Sequence, residues 1–248
     1  MQPLIFAHRG ASGRYPENTL PAFQAALRHH ADGIELDVQL TKDQQVVVIH
    51  DHFLDRATDG TGLVSHHTLA ELRQLRVGNW LDERLHPTTI PTFEEVCAFV
   101  AYTPLLMLVE LKNFLLPQPS LEEKVIELIK KYQLEHRVVI SSFNYDSLLH
   151  VKQLAGDLRT GLLYIGRLRT PWEMALRFQA DQLHAPQEEI TASLVEETRR
   201  HGLTLYGWTI NDVKGMKNLA KLQIDGIITN YPLRAYKQFS KMSKSNLR

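Results

Sequence analysis

The chain has 248 residues, with 28 basic and 28 acidic side chains, 44% hydrophobic residues and only 13 Gly and 11 Pro. This composition excludes a disordered or fibrous chain and leaves no overall charge to attract nucleic acid or an anionic membrane, so selectivity for an anion has to be local. A single cysteine, Cys97, excludes an intramolecular disulfide and sits in an apolar stretch, as a buried thiol would; no run approaches a membrane span, and MQPLIFAHRG is not a leader pattern, which predicts a cytoplasmic protein.

Pro3 to Ala7 is a short apolar run opening into His8-Arg9-Gly10, which predicts a buried strand with His8 and Arg9 at its C-terminal end. Loop chemistry follows, and Asn18 or Thr19 can cap a helix through Leu20, Phe23 and Leu27. The stretch Gly33 to Asp51 then alternates, so that Glu35, Asp37 and Gln39 share one face of a strand. A second β-branched run, Val46 to Ile49, delivers His50 and Asp51. Adjacent carboxylates raise each other's pKa unless a cation sits between them, and hard divalent cations prefer oxygen ligands. The stretch therefore reads either as a metal site or as a solvated edge-strand face.

Between His50 and about Leu105 the alternation of strand and helix breaks, and residues of about 52–90 read as an insertion with a short helix over Thr68 to Leu75. Thr92 and Glu95 have the spacing of a capping box. Leu105 to Leu111 is a buried strand whose lone acid, Glu110, needs a cation or an ion pair with Lys112 two residues on. Helix and strand then alternate: helices over Leu121–Tyr132, Tyr145–Leu154, Pro171–Phe178 and Ser193–His201, and strands at 137–142, 159–165, 182–184, 203–210 and 223–230. Eight strands in such an order favour a (β/α)8 TIM barrel of the α/β class, one domain over 1–248 with the insertion after the second strand. His8-Arg9, Glu35, Asp37, His50, Glu110, Lys112, His184, Trp208 and Thr229-Asn230 then fall at strand C-termini, the face on which that fold keeps its chemistry. No glycine-rich nucleotide motif is present.

HRG at 8–10, PENT at 16–19, ADGIELDVQLTKDQQVVVIHD at 31–51, LDRATDGTG at 54–62, IPTFEEV at 90–96, VELKN at 109–113, SSF at 141–143, GWTIN at 207–211 and DGIITN at 225–230 resemble the glycerophosphodiester phosphodiesterase family, in its bacterial cytosolic form. The resemblance implies metal-dependent hydrolysis of glycerophosphodiesters such as glycerophosphocholine and glycerophosphoethanolamine to glycerol 3-phosphate and an alcohol, through a cyclic phosphate. It implies one divalent metal ion, Mg2+ or Ca2+, on Glu35, Asp37 and Glu110, with His8 and His50 as catalytic acid and base in an order left open, and Arg9 and Lys112 as phosphate contacts. Phe143 and Trp208 read either as substrate-binding aromatics or as core. The partner expected is a small-molecule substrate, with no nucleic acid and no stable membrane association.

Ala57 stands where the family commonly has threonine. A lipid-acting lyase or toxin-type barrel would show an aromatic or basic membrane edge; the insertion has Trp80 and Phe53 but no run of them. A non-catalytic anion-binding barrel would not need two proton-transfer groups.

Overall fold

Alternation along each strand decides which side chains enter the centre of the fold. The computed structural model of the chain describes residues 2–78 and 88–245. The strands are β1 (Leu4–His8), β2 (Gly33–Leu40), β3 (Val46–Val48), β4 (Leu106–Leu111), β5 (Val138–Ser142), β6 (Arg159–Leu163), β7 (Gln182–Pro186), β8 (Thr204–Trp208) and β9 (Gly226–Thr229). All except β3 pair in parallel in the order β1-β9-β8-β7-β6-β5-β4-β2, and β1 also pairs β2, closing an eight-stranded barrel. β3 runs antiparallel to β2 outside that ring. The (β/α)8 barrel expected from the sequence is present.

Phe6, Leu108, Val139, Tyr206 and Ile228 pack together as an apolar layer inside the barrel. Each strand's alternate residues face the helices: Ile34, Leu36 and Val38 join one outer core with Phe23, Phe93 and Val125, while Leu162, Leu183 and Leu205 join another with Met216 and Phe239. Every residue of β2 is therefore buried, including its acids. His184, expected at the barrel mouth, lies within this interior, fully buried and stacked on Tyr206 with centroids 5.5 Å apart.

The helices are α1 (Leu20–Arg28), α2 (Leu69–Leu72), α3 (Phe93–Ala101), α4 (Leu121–Lys131), α5 (Tyr145–Leu154), α6 (Pro171–Arg177), α7 (Ala192–Arg200), α8 (Val213–Lys221) and α9 (Pro232–Ser245). Thr19 caps α1, and Thr68 and Thr92 form complete capping boxes with Glu71 and Glu95 on α2 and α3. Between β3 and α3, Leu54, Val64, Leu72, Val77 and Ile90 close a small core of their own against Val47 and Ile49. Trp80, with the rest of 79–87, lies outside the described residues. Among the described residues no helix is long and apolar enough to cross a membrane.

Candidate active site

Register brings the acids together. His8 lies opposite Glu35 across β1 and β2, and Asp37 opposite Glu110 across β2 and β4. Glu35 and Asp37 are two residues apart and so share the inward face of β2. All three carboxylates are buried, and they offer oxygens that lie within 4.8 Å of one another. Of the two sequence readings of Glu110, the ion pair is present, a hydrogen bond accepted from Lys112 Nζ at 2.7 Å, and Glu110 also lies with Glu35 and Asp37 in a cluster that could hold a cation.

Around the triad stand Arg9 and Lys112. Arg9 Nε is 3.3 Å from Asp37 Oδ2, and Lys112 Nζ is 3.7 Å from Asp37 Oδ1. Burial alone would raise the Asp37 carboxyl, but these two cations, with His50 and a hydrogen bond from Asn18 Nδ2 at 2.8 Å, hold it well below the usual range. Glu110 is pushed the other way, up to about 7, by burial and by the Asp37 charge, against the pull of Lys112. Burial and Asp37 likewise raise Glu35. Asp37 Oδ1 is buried without a hydrogen bond. An orphaned carboxylate oxygen beside two acids with raised pKa values is the environment that a hard cation relieves, so the donor set fits a divalent metal ion.

His8 Nδ1 is 2.7 Å from Asn230 Oδ1, and His50 Nδ1 is 2.6 Å from Asp51 Oδ1. These oxygens accept, so in both rings Nδ1 carries the proton and Nε2 is the atom left for chemistry. His8 Nε2 stands 4.0 Å from Glu35 Oε2. Burial and the Arg9 charge push His8 down to about 4. Burial also lowers His50, with Arg9 and Lys112 adding to it and Asp37 and Asp51 opposing it.

The backbone is shaped to hold these groups. Arg9 has φ 53°, its N–H donates to Glu35 Oε2 at 2.9 Å, and Gly10 follows at φ 80°, where a Cβ would come within 2.7 Å of Ala22. Gln39 Nε2 donates to the carbonyls of Ile49, His50 and Asp51, fixing the turn that carries His50. Phe143 and Trp208 meet edge-to-face with centroids 6.0 Å apart, both half-buried at the mouth. The Trp208 indole N–H donates to the His184 carbonyl at 3.0 Å.

A model of the glycerophosphoryl diester phosphodiesterase family matches residues 8–234, a span that begins at His8 and contains every side chain of the site. The chain belongs to that family. It is 45% identical over 232 residues to the glycerophosphodiester phosphodiesterase of Caldanaerobacter subterraneus subsp. tengcongensis, covering 94% of this chain and 96% of that one. It is 39% identical over 237 residues to the glycerophosphodiester phosphodiesterase of Bacillus altitudinis, covering 94% and 96%. A solved structure of an Oleispira antarctica phosphodiesterase, in complex with the product sn-glycerol-3-phosphate, superposes with a TM-score of 0.86 at 30% identity, covering 96% of this chain and 97% of that one. As a family member the chain is a glycerophosphodiester phosphodiesterase, a phosphodiester hydrolase.

Sequence reasoning gave no site role to Glu17, Asp51 or Arg56. Arg56 donates to both oxygens of Glu17, at 2.9 and 2.6 Å, and through Nε to Asp51; Glu17 in turn accepts from Arg9 NH1 at 3.0 Å. Arg56 thus ties together the partner of His50 and the partner of Arg9. The pairings join two loops far apart in sequence, the one after β1 and the one after β3, and spacing along the chain carries no signal for them.

Proposed function

We propose that the chain hydrolyses glycerophosphodiesters, glycerophosphocholine and glycerophosphoethanolamine among them, to sn-glycerol 3-phosphate and the free alcohol. The observation that carries this reading is the position of two imidazoles, each with Nδ1 engaged and Nε2 free, on the rim of the buried Glu35, Asp37 and Glu110 cluster. The product bound by the Oleispira antarctica relative supports the glycerol 3-phosphate side of the assignment.

Glu35, Asp37 and Glu110 would hold one divalent ion. Their oxygens lie within 4.8 Å of one another, close enough for the three to share one ion, and an all-oxygen donor set suits Mg2+ or Ca2+. When bound, the ion supplies positive charge to a phosphate oxygen and makes a neighbouring hydroxyl more acidic. Arg9 and Lys112, both partly exposed at the mouth, take the remaining phosphate charge.

The substrate's own glycerol hydroxyl, next to the ester, is the attacking group. One imidazole Nε2 takes its proton while the other gives a proton to the departing alcohol; the roles reverse as water opens the cyclic phosphate. Asn230 and Asp51 keep the two rings oriented for both half-reactions. Phe143 and Trp208 wall the entrance for the glycerol or the alcohol group.

Phosphorus-31 NMR during turnover of glycerophosphocholine tests this assignment. The expected product resonance is glycerol 3-phosphate, with a five-membered cyclic phosphate preceding it. Accumulation of phosphocholine would place the cleavage at the other ester and overturn the assignment.

A further inference from the structure

The loops after β4, β5 and β6 leave an apolar recess of about 240 Å³ directly beside the phosphate-binding side chains. Glu110 and Lys112 form its inner end, with His52; Leu111, Phe114, Leu115, Phe143 and Ile165 form the rest. Three of these walls are large apolar side chains left open to solvent: Phe114 is 64% exposed, Leu115 74% and Ile165 70%. Phe114 and Phe143 lie 6.4 Å apart, so the aromatic wall runs unbroken from Trp208 at the barrel mouth out to this edge. Exposed apolar side chains gathered around one recess, rather than scattered, mark a place that something apolar covers.

We propose that this recess binds a hydrocarbon chain carried by the phosphodiester itself, so that amphiphilic phosphodiesters are substrates alongside the water-soluble ones. The inference rests on the phosphodiesterase reading above and adds the substrate class. A second protein is the wrong occupant, because covering the recess would close off Glu110 and Lys112 from substrate. A quaternary ammonium group is also disfavoured: although Phe114 and Phe143 could face it, the recess's carboxylate, Glu110, is already paired with the Lys112 ammonium, and the exposed walls Leu115 and Ile165 offer a cation nothing. A methylene chain needs no polar partner, and each methylene removed from water favours binding. The reaction is unchanged. Water adds across one P–O bond, phosphorus gains the oxygen of water, and the alcohol departs with a proton.

Two series test the proposal. With the metal-loaded protein, binding of n-alkyl phosphates from ethyl to octyl is measured by calorimetry. In parallel, hydrolysis is measured for sn-glycerol 3-phospho-n-alkanols of the same lengths and for short-chain lysophosphatidylcholines, with glycerophosphocholine as reference. Affinity and kcat/KM are expected to rise about two- to fourfold per methylene until the recess is filled. Leu115→Ser with Ile165→Ser should flatten both slopes and leave glycerophosphocholine hydrolysis unchanged. A slope in the alkanol arm assigns the chain to the leaving alcohol, and one in the lysophospholipid arm assigns it to the glycerol side; either supports the proposal. Flat series in the wild type overturn it, as does a slope that survives the double substitution, or a dimer that these substitutions dissociate. Failure to hydrolyse glycerophosphocholine would sink the phosphodiesterase reading instead, and alkyl phosphate binding would still decide the recess.

Discussion

His50 Nδ1 and Asp51 Oδ1 are adjacent in sequence and 2.6 Å apart, and the second oxygen of Asp51 is held by Arg56. The ring is therefore oriented by a carboxylate that is itself oriented by a guanidinium, and the same guanidinium grips Glu17 behind Arg9.

Asp51→Asn and Arg56→Ala are each expected to lower kcat about 10- to 100-fold with little change in melting temperature, because both loosen the ring without opening the core. The double variant should cost much less than the product of the two, since the residues act through one hydrogen bond chain. Asp51 opposes the lowering of His50, so Asn at 51 should also move the His50 limb of the pH–rate profile to lower pH. Full additivity with an unmoved limb would show that the chain does not act on His50.

Metal affinity should rise with pH between about 5 and 7. Glu110 titrates at about 7 without a cation and Glu35 is raised as well, so a divalent ion has to displace protons at the lower pH. In the metal-free protein the proton on Glu110 contributes stability that is fully present below its unfolded value of 4.5 and is lost as pH rises through about 7. The gain in melting temperature from added magnesium or calcium is thus expected to be larger at pH 8 than at pH 5.5. Calorimetric unfolding at the two pH values measures it, and Glu110→Gln should flatten the difference.

His184 has the opposite sign. Burial drives its pKa down to about 3, while the unfolded chain takes up that proton near 6.5. Folding stability from this residue is fully present above 6.5 and is lost by about 1.4 kcal/mol per pH unit as pH falls toward 3. The difference in unfolding free energy between wild type and His184→Gln, followed by urea titration from pH 7 to pH 5, should shrink in favour of the variant as pH falls. A constant difference would mean that His184 takes a proton in the folded state.

Much of the barrel was legible because β2 alternates with a period of two, β4 is a short apolar run and the helices carry a period of about 3.6, and because Thr92 with Glu95 has the spacing of a capping box. Period two also put Glu35 with Asp37, and registry with β4 then added Glu110. His184 escaped because strand position alone does not say how deep a side chain lies: it stacks on Tyr206, and Gly161 opposite leaves it room, since a Cβ there would sit 2.7 Å from His184 Nε2. Glu17, Asp51 and Arg56 escaped for another reason. Their polar sequence context is that of any solvated loop, and only the return of the segment after β3 over the loop after β1 makes them partners.

The carboxylate triad and the two histidines are expected to act together in metal-dependent phosphodiester hydrolysis. The measurement is release of glycerol 3-phosphate from glycerophosphocholine by the purified protein, with EDTA and then with added magnesium or calcium, for wild type, Glu35→Gln and His8→Ala. The account predicts that EDTA abolishes release, that one of the two ions restores it, and that each substitution lowers kcat at least about 100-fold while the protein stays folded. Undiminished release in EDTA, or full activity in either variant, would contradict it.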